Sequence, residues 1–132
     1  AGYTFNTAWL PRVSFQYDQA SGDSANPATF TRFDTLFGAR RWESGPTSLY
    51  GAEQRTNLLS PGIRLEVTPS PIWDAFVTYR PLFLADATDS FATTGVRDRT
   101  GRYGNFAGQQ IATRQRYWLI PTSRSRSRRR RR

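Results

Sequence analysis

Residues 63–84, IRLEVTPSPIWDAFVTYRPLFL, constrain the fold more than any other stretch. Ile63, Leu65 and Val67 alternate with Arg64, Glu66 and Thr68. After Pro69, Ser70 and Pro71 the alternation resumes, with Trp73, Ala75, Val77 and Tyr79 set against Asp74, Phe76, Thr78 and Arg80. Strand side chains change face at every residue, so this period of two predicts two antiparallel strands joined by a tight turn. One face is apolar with aromatic ends. The other carries Arg64, Glu66, Asp74 and Arg80. The register stays open: pairing Glu66 with Asp74 opposes two carboxylates, and a slip of two residues pairs Arg64 with Asp74 instead.

The same period recurs on either side. Residues 2–5 read as the end of a strand and 8–11 as a short turn. Residues 12–19 set Val13, Phe15 and Tyr17 against Ser14, Gln16 and Asp18. Residues 109–119 place Ile111 and Tyr117 on one side, and Gln110, Ala112, Arg114 and Arg116 on the other, with Gln115 falling on the apolar side. The first arm of the central hairpin spans 57–68, with a start after Pro61 and Gly62 as the alternative. The second spans 73–83 and weakens at Pro81, which lacks a backbone donor. Between these strands the connections alternate. Those near 8–11, 69–71 and 121 are short, and those at 21–57 and 85–108 are long. Within the first long one, 33–51 reads as a short helix or a packed loop. A meander sends alternate connections to opposite ends. The expected class is therefore all-β, an antiparallel up-and-down meander of about five strands, fragment of a transmembrane β-barrel with short periplasmic turns and long external loops. Tyr17, Trp73, Tyr79 and Tyr117 fit interfacial aromatic girdles.

Composition removes other classes. The 132 residues contain no Cys and no His, so disulfides, thiolate metal sites and the commonest general base are absent. No cluster of carboxylates has metal-ligand spacing, and no cofactor is expected. Ser and acids such as Asp86 and Asp89 are present, but no motif joins them into a catalytic set, so no enzyme is expected. No run of about 18 apolar residues forms a membrane helix, which leaves membrane strands untouched. The chain has no Met and no leader-like start, and reads as a fragment. The net charge of +9 is uneven, because residues 123–132, SRSRSRRRRR, hold seven of the nineteen arginines. Without that tail, twelve arginines face ten carboxylates. The expected organisation is a partial barrel at 1–122 and a disordered or frameshifted tail at 123–132. Nucleic acid or anionic lipid enters as a partner only if the tail is genuine. All basic residues are Arg, which suits a GC-rich coding bias and also bidentate grip on carboxylates.

The segments SFQYDQASGDS, FDTLFGARRWESGPTSLYG, SPGIRLEV, WDAFVTYRPLFLA, TTGVRDRTGRYGNFAGQQI and RYWLIP, in that order from residue 2 to residue 121, resemble the alginate export family of bacterial outer-membrane β-barrels. The resemblance implies a barrel fragment near the C-terminal part of the barrel, a place in the outer membrane, and a porin-like role in polysaccharide export. In that family a further strand follows the one at 109–119, whereas this chain runs into its Arg tail.

The site residues follow from the facing. Arg12, Arg64, Arg80, Arg114 and Arg116 would project into a lumen, where rings of arginine attract anions. An acidic polysaccharide such as alginate offers a carboxylate on each sugar, and weak repeated sites suit transit. Asp18, Glu66 and Asp74 would act as charge partners that hold the arginines and keep the polymer from sticking. The plain alternative is a solvated strand face with cross-strand ion pairs of about 0.2–1 kcal/mol each. Arg40 and Arg41 could form a pore-loop constriction, or the loop could pack on its aromatics and leave them solvated. Arg97, Arg99 and Arg102 lie in a loop that is either solvated or meets surface polysaccharide. Expected partners are an anionic polysaccharide, outer-membrane lipid and periplasmic export components. The competing class is a soluble β-sheet carbohydrate-binding module, which would bury Ile63, Leu65, Val67, Val77 and Tyr79 in a core.

Overall fold

The computed structural model describes residues 1–23, 28–33, 55–91 and 94–119. These form one antiparallel meander: β1 (Gly2–Thr4), β2 (Arg12–Ala20), β3 (Leu58–Ser70), β4 (Trp73–Phe83) and β5 (Phe106–Tyr117), hydrogen-bonded in sequence order. No helix occurs among the described residues, and the all-β expectation holds. Arg40, Arg41, the helix-or-loop segment beyond Phe33, the turn at 121 and the Arg tail lie outside them.

The period of two carries into three dimensions. Register pairs Val13 with Leu65, Leu65 with Val77, and Val77 with Thr113, forming one row across four strands that is apolar up to Thr113. Glu66 lies between Arg12 and Phe76, and Phe76 beside Arg114, in the row on the opposite face. Neither register weighed from the sequence occurs. Glu66 faces Phe76, Arg64 faces Thr78, and Asp74 faces Arg116 of β5. An irregularity between Val67 and Ser70 absorbs the Pro69 segment, so the turn itself is only Pro71 and Ile72.

Both arms of the hairpin keep their expected spans to within two residues. β3 starts at Leu58 and runs straight through Pro61 and Gly62, so the later start does not occur, and β4 continues past Pro81 to Phe83. Pro61 pairs with Tyr17 on one side and Pro81 with Gln109 on the other. In the β3–β4 register the two prolines fall opposite each other, and the ladder has no bridge between the Leu59–Phe83 and Ile63–Tyr79 pairs. Both missing donors fall in this one gap, so the sheet loses pairing once rather than in two places. β5 begins at Phe106, three residues early, because a bulge near Gly108 shifts the register between Leu82 and Phe83. Gly108 takes φ +154°, a value that side chains rarely adopt.

The ends of the sheet are sorted as the loop lengths predict. Thr68 donates to the Trp9 carbonyl at 2.7 Å, which joins the two short turns at one end. At the other end the long connections meet at Asn57. Its side chain donates to the carbonyls of Asp86 (3.0 Å) and Ser90 (3.2 Å) and accepts from the Asp86 amide (2.7 Å). Asn57 adopts φ +50°, a region that Asn tolerates better than most residues.

Burial is inverted relative to a soluble sheet. Ile63 is 53% exposed and Ile111 69%, and Phe15, Leu65, Val77 and Tyr79 are exposed beside them. The buried residues Ala20, Leu58, Ser60, Arg80 and Leu82 all share the parity of the charged face and cluster toward the long-loop end. Gly62 sits among them, and a Cβ there would lie 3.1 Å from Cγ of Arg80. Replacing Gly62 by Val should therefore destabilise the fold by about 1–3 kcal/mol through overpacking. Urea unfolding of the full-length barrel in detergent, followed by tryptophan fluorescence, measures this.

Candidate functional site

β2, β3, β4 and β5 place Arg12, Arg64, Arg80, Arg114 and Arg116 on one face with Asp18, Glu66 and Asp74. The structure thus brings together every site residue expected from the strands. It also shows that the arginines are not equivalent.

Arg80 is the most deeply held, only 7% exposed. From β4 its side chain lies across Gly62 of β3 and reaches Asp18 of β2, with Nη1 3.2 Å from Oδ2. The bridge spans three strands because glycine leaves the middle one without a side chain. Nε2 of Gln16 donates to both oxygens of Asp18 at 3.0 and 2.9 Å and fixes the carboxylate. A guanidinium this buried needs a partner, since an isolated charge away from water is costly.

At the short-turn end, Asp74 accepts from Arg116 through Nη2 (2.6 Å) and Nε (3.1 Å), and Nη2 of Arg114 stands 3.5 Å away. The same guanidinium of Arg116 lies 4.3 Å from the Trp118 ring centre. Between these clusters Arg64 donates to Glu66 at 3.1 Å along its own strand, and its Nε has no hydrogen-bond partner. The Arg64 guanidinium sits 3.7 Å from the centre of the Phe76 ring, and that of Arg114 sits 4.8 Å from it. Each such contact is worth about 0.5–1 kcal/mol where solvent reaches it. Arg12 is exposed beside Glu66 in the register. Five arginines share three carboxylates, so the face keeps a positive surplus while most of its charges are anchored.

The sequence did not reveal two features. Phe76 was visible as an apolar residue of polar parity, but its role between two arginines depends on the true register. The rim cluster at the long-loop end was invisible, because it joins residues far apart in the chain. Asp89, 3% exposed there, accepts from the Asp23 amide (2.8 Å), the Ser90 amide (2.7 Å) and Nη2 of Arg32. Burial opposes its ionisation, but the two amides and the guanidinium outweigh that, so its pKa lies below the ordinary carboxylate value. In the exposed loop with Arg97, Arg99 and Arg102, Asp98 accepts from the Thr100 amide and hydroxyl and from the Tyr103 amide. These bonds lower its pKa and shape a turn that leaves all three arginines in solvent.

Tyr79 donates to Gln109 at 3.1 Å on the apolar face, so that amide is paired. Gln115 lies exposed on the same face, two residues before the aromatic end at Tyr117. A cleft of about 290 Å³ opens beside Tyr17, Asp18, Phe33, Arg55 and Leu58. No group of His, Cys or carboxylates suited to a metal occurs among the described residues.

The rim yields a prediction with a definite sign. Asp89 has a lower pKa folded than unfolded, so its contribution is fully present above the unfolded value and is lost as pH falls through the folded one. Hydrogen-exchange protection of the Asp23 and Ser90 amides should therefore hold at neutral pH and fall only under acid conditions below the usual carboxylate range. Asp89→Ala should lose about 1.5–3 kcal/mol of that local protection at neutral pH.

Searches among curated proteins and among solved structures found no match. The model of the family described as Alginate export matches residues 1–126, nearly the whole chain. With that match laid over an antiparallel meander whose charged face is ordered and whose apolar face is bare, the chain belongs to the alginate export family.

Proposed function

We propose that this chain forms part of the wall of an outer-membrane barrel that exports an anionic polysaccharide such as alginate by diffusion past an arginine-bearing lumen. The observation that carries this reading is the inverted sheet. Its apolar row is exposed from β2 to β5, while the ion pairs and the few buried side chains share the other face. Against lipid that arrangement is stable, and in water it would cost apolar exposure over a whole sheet face.

Dimensions support the reading. β2, β3, β4 and β5 have 9, 13, 11 and 12 residues, enough to cross a bilayer when tilted. Trp73 pairs with Tyr117 at the short-turn end, and Phe83 packs edge-on to Phe106 near the other, ring centres 5.6 Å apart. Ten residues of extended chain separate Trp73 from Phe83, about 33 Å along the strand and roughly 25 Å across the membrane at a tilt near 40°. Two aromatic bands at that spacing bracket the apolar layer.

On the charged face the arginines divide in role. Arg80, locked to Asp18, is a strut of the wall. Arg12, Arg64, Arg114 and Arg116 present partly open guanidiniums to a passing carboxylate, and Glu66 and Asp74 compete with the polymer for them. Competition of this kind makes each site weak, which transit along a chain of sites requires. No chemistry and no cofactor is needed for such passage.

Two outcomes test the reading. In planar bilayers under a salt gradient, the full-length barrel should conduct and favour anions, and replacing Arg64, Arg114 and Arg116 by Gln should lower that preference several-fold. A cation-selective or non-conducting barrel would refute the arginine-lined lumen. Separately, the 132-residue chain should aggregate in buffer and stay dispersed in detergent, because two sheet edges and an apolar face are bare. A monomeric, cooperatively melting sample in buffer would favour the soluble carbohydrate-binding module instead.

A further inference from the structure

Phe76 is the one aromatic side chain of polar parity in the middle of the sheet, and two cations rest on it. Register puts it directly between Glu66 of β3 and Arg114 of β5, with Arg64 on the diagonal. The guanidinium carbons of Arg64 and Arg114 lie 3.7 and 4.8 Å from the centre of this single ring. Two like charges drawn to one group of atoms need a compensating attraction, and the negative π-face of the ring supplies it. Neither cation is fully satisfied by acids. Arg64 has one bond to Glu66 and an unbonded Nε, and Arg114 stands only within 3.5 Å of Asp74.

We propose that Phe76 is a positioning residue that holds Arg64 and Arg114 as a paired site for the carboxylates of an acidic polysaccharide. This rests on the export reading above and adds a determinant of selectivity that carries no charge. A guanidinium stacked on an arene keeps its N–H groups at its edge, where a carboxylate meets them in the plane. Stacking therefore orients both arginines without consuming the donors that hold the polymer. It also restrains Arg64 from folding fully onto Glu66 and Arg114 from closing on Asp74. A side chain of similar volume without a π-face would free both to pair with their acids and withdraw from the lumen.

The test uses the full-length barrel in planar bilayers, with the reversal potential in a potassium chloride gradient as the readout. Phe76→Leu and Phe76→Met keep apolar bulk and remove the ring; both should reduce the anion-to-cation permeability ratio about two- to fivefold. Phe76→Tyr should retain the wild-type ratio. A purely structural role for the ring would leave the ratio unchanged in every variant that forms channels. If Phe76→Leu and Phe76→Met keep the wild-type ratio while Arg64→Gln and Arg114→Gln lower it, the export reading stands and this inference is overturned. If both aliphatic variants fail to assemble, Phe76 is a packing residue and the inference is likewise overturned. A wild-type barrel without anion preference would sink the parent reading and carry this inference down with it.

Discussion

Arg80 buries its guanidinium, and it reaches a carboxylate two strands away. Gly62 lets it through, and Asp18, steadied by Gln16, receives it. That single bridge fixes three strands against one another. A slip of one residue in β3 would replace Gly62 with a full side chain beneath Arg80 and turn Ile63, Leu65 and Val67 onto the charged face. A slip of two would keep the faces but break the match between Gly62, Arg80 and Asp18. Hydrophobic patterning alone distinguishes odd from even registers. The crossing arginine distinguishes among the even ones.

The charged face then reads as a graded series rather than a uniform coat. Toward the long loops, charge is buried and fully engaged, as at Arg80 and Asp89. Toward the short turns, Asp74 is shared between Arg114 and Arg116, and in the middle Arg64 is only partly paired. Rigidity and availability trade against each other along the same strands. A surface meant to bind tightly would leave several arginines unopposed around one point. Here each has an acid or a ring beside it, which keeps the guanidiniums extended while lowering the affinity of any one position.

Much of this was legible in the residues because the governing period is local. The alternation at 12–19, 63–67, 73–80 and 109–119 assigned every strand arginine to its face, and the loop lengths sorted the two ends of the sheet. What was not legible depends on two-body facts that a single strand does not contain. Pro61, Gly62 and Pro81 each argue locally against a strand, yet the prolines share one unbridged gap and the glycine makes room for Arg80. The hairpin register stayed open because β3 and β4 alone do not contain the partner of Asp74, which is Arg116 of β5. Asn57 and Asp89 looked like ordinary loop residues. Their value lies in joining segments about 30 residues apart or more, and no pattern along the chain signals that.

The two-residue turn at Pro71 and Ile72 sets an order of assembly. The β3–β4 hairpin closes its ends over almost no intervening chain, while 37 residues separate Ala20 of β2 from Leu58 of β3. Closing the longer loop costs roughly 2.5 kcal/mol more in chain entropy. The hairpin can therefore form on the microsecond scale, before β2 arrives. Docking of β2 then brings Asp18 to Arg80 and covers one edge of the hairpin. The slowest pairing in this sheet is thus also the one that completes its three-strand ion pair.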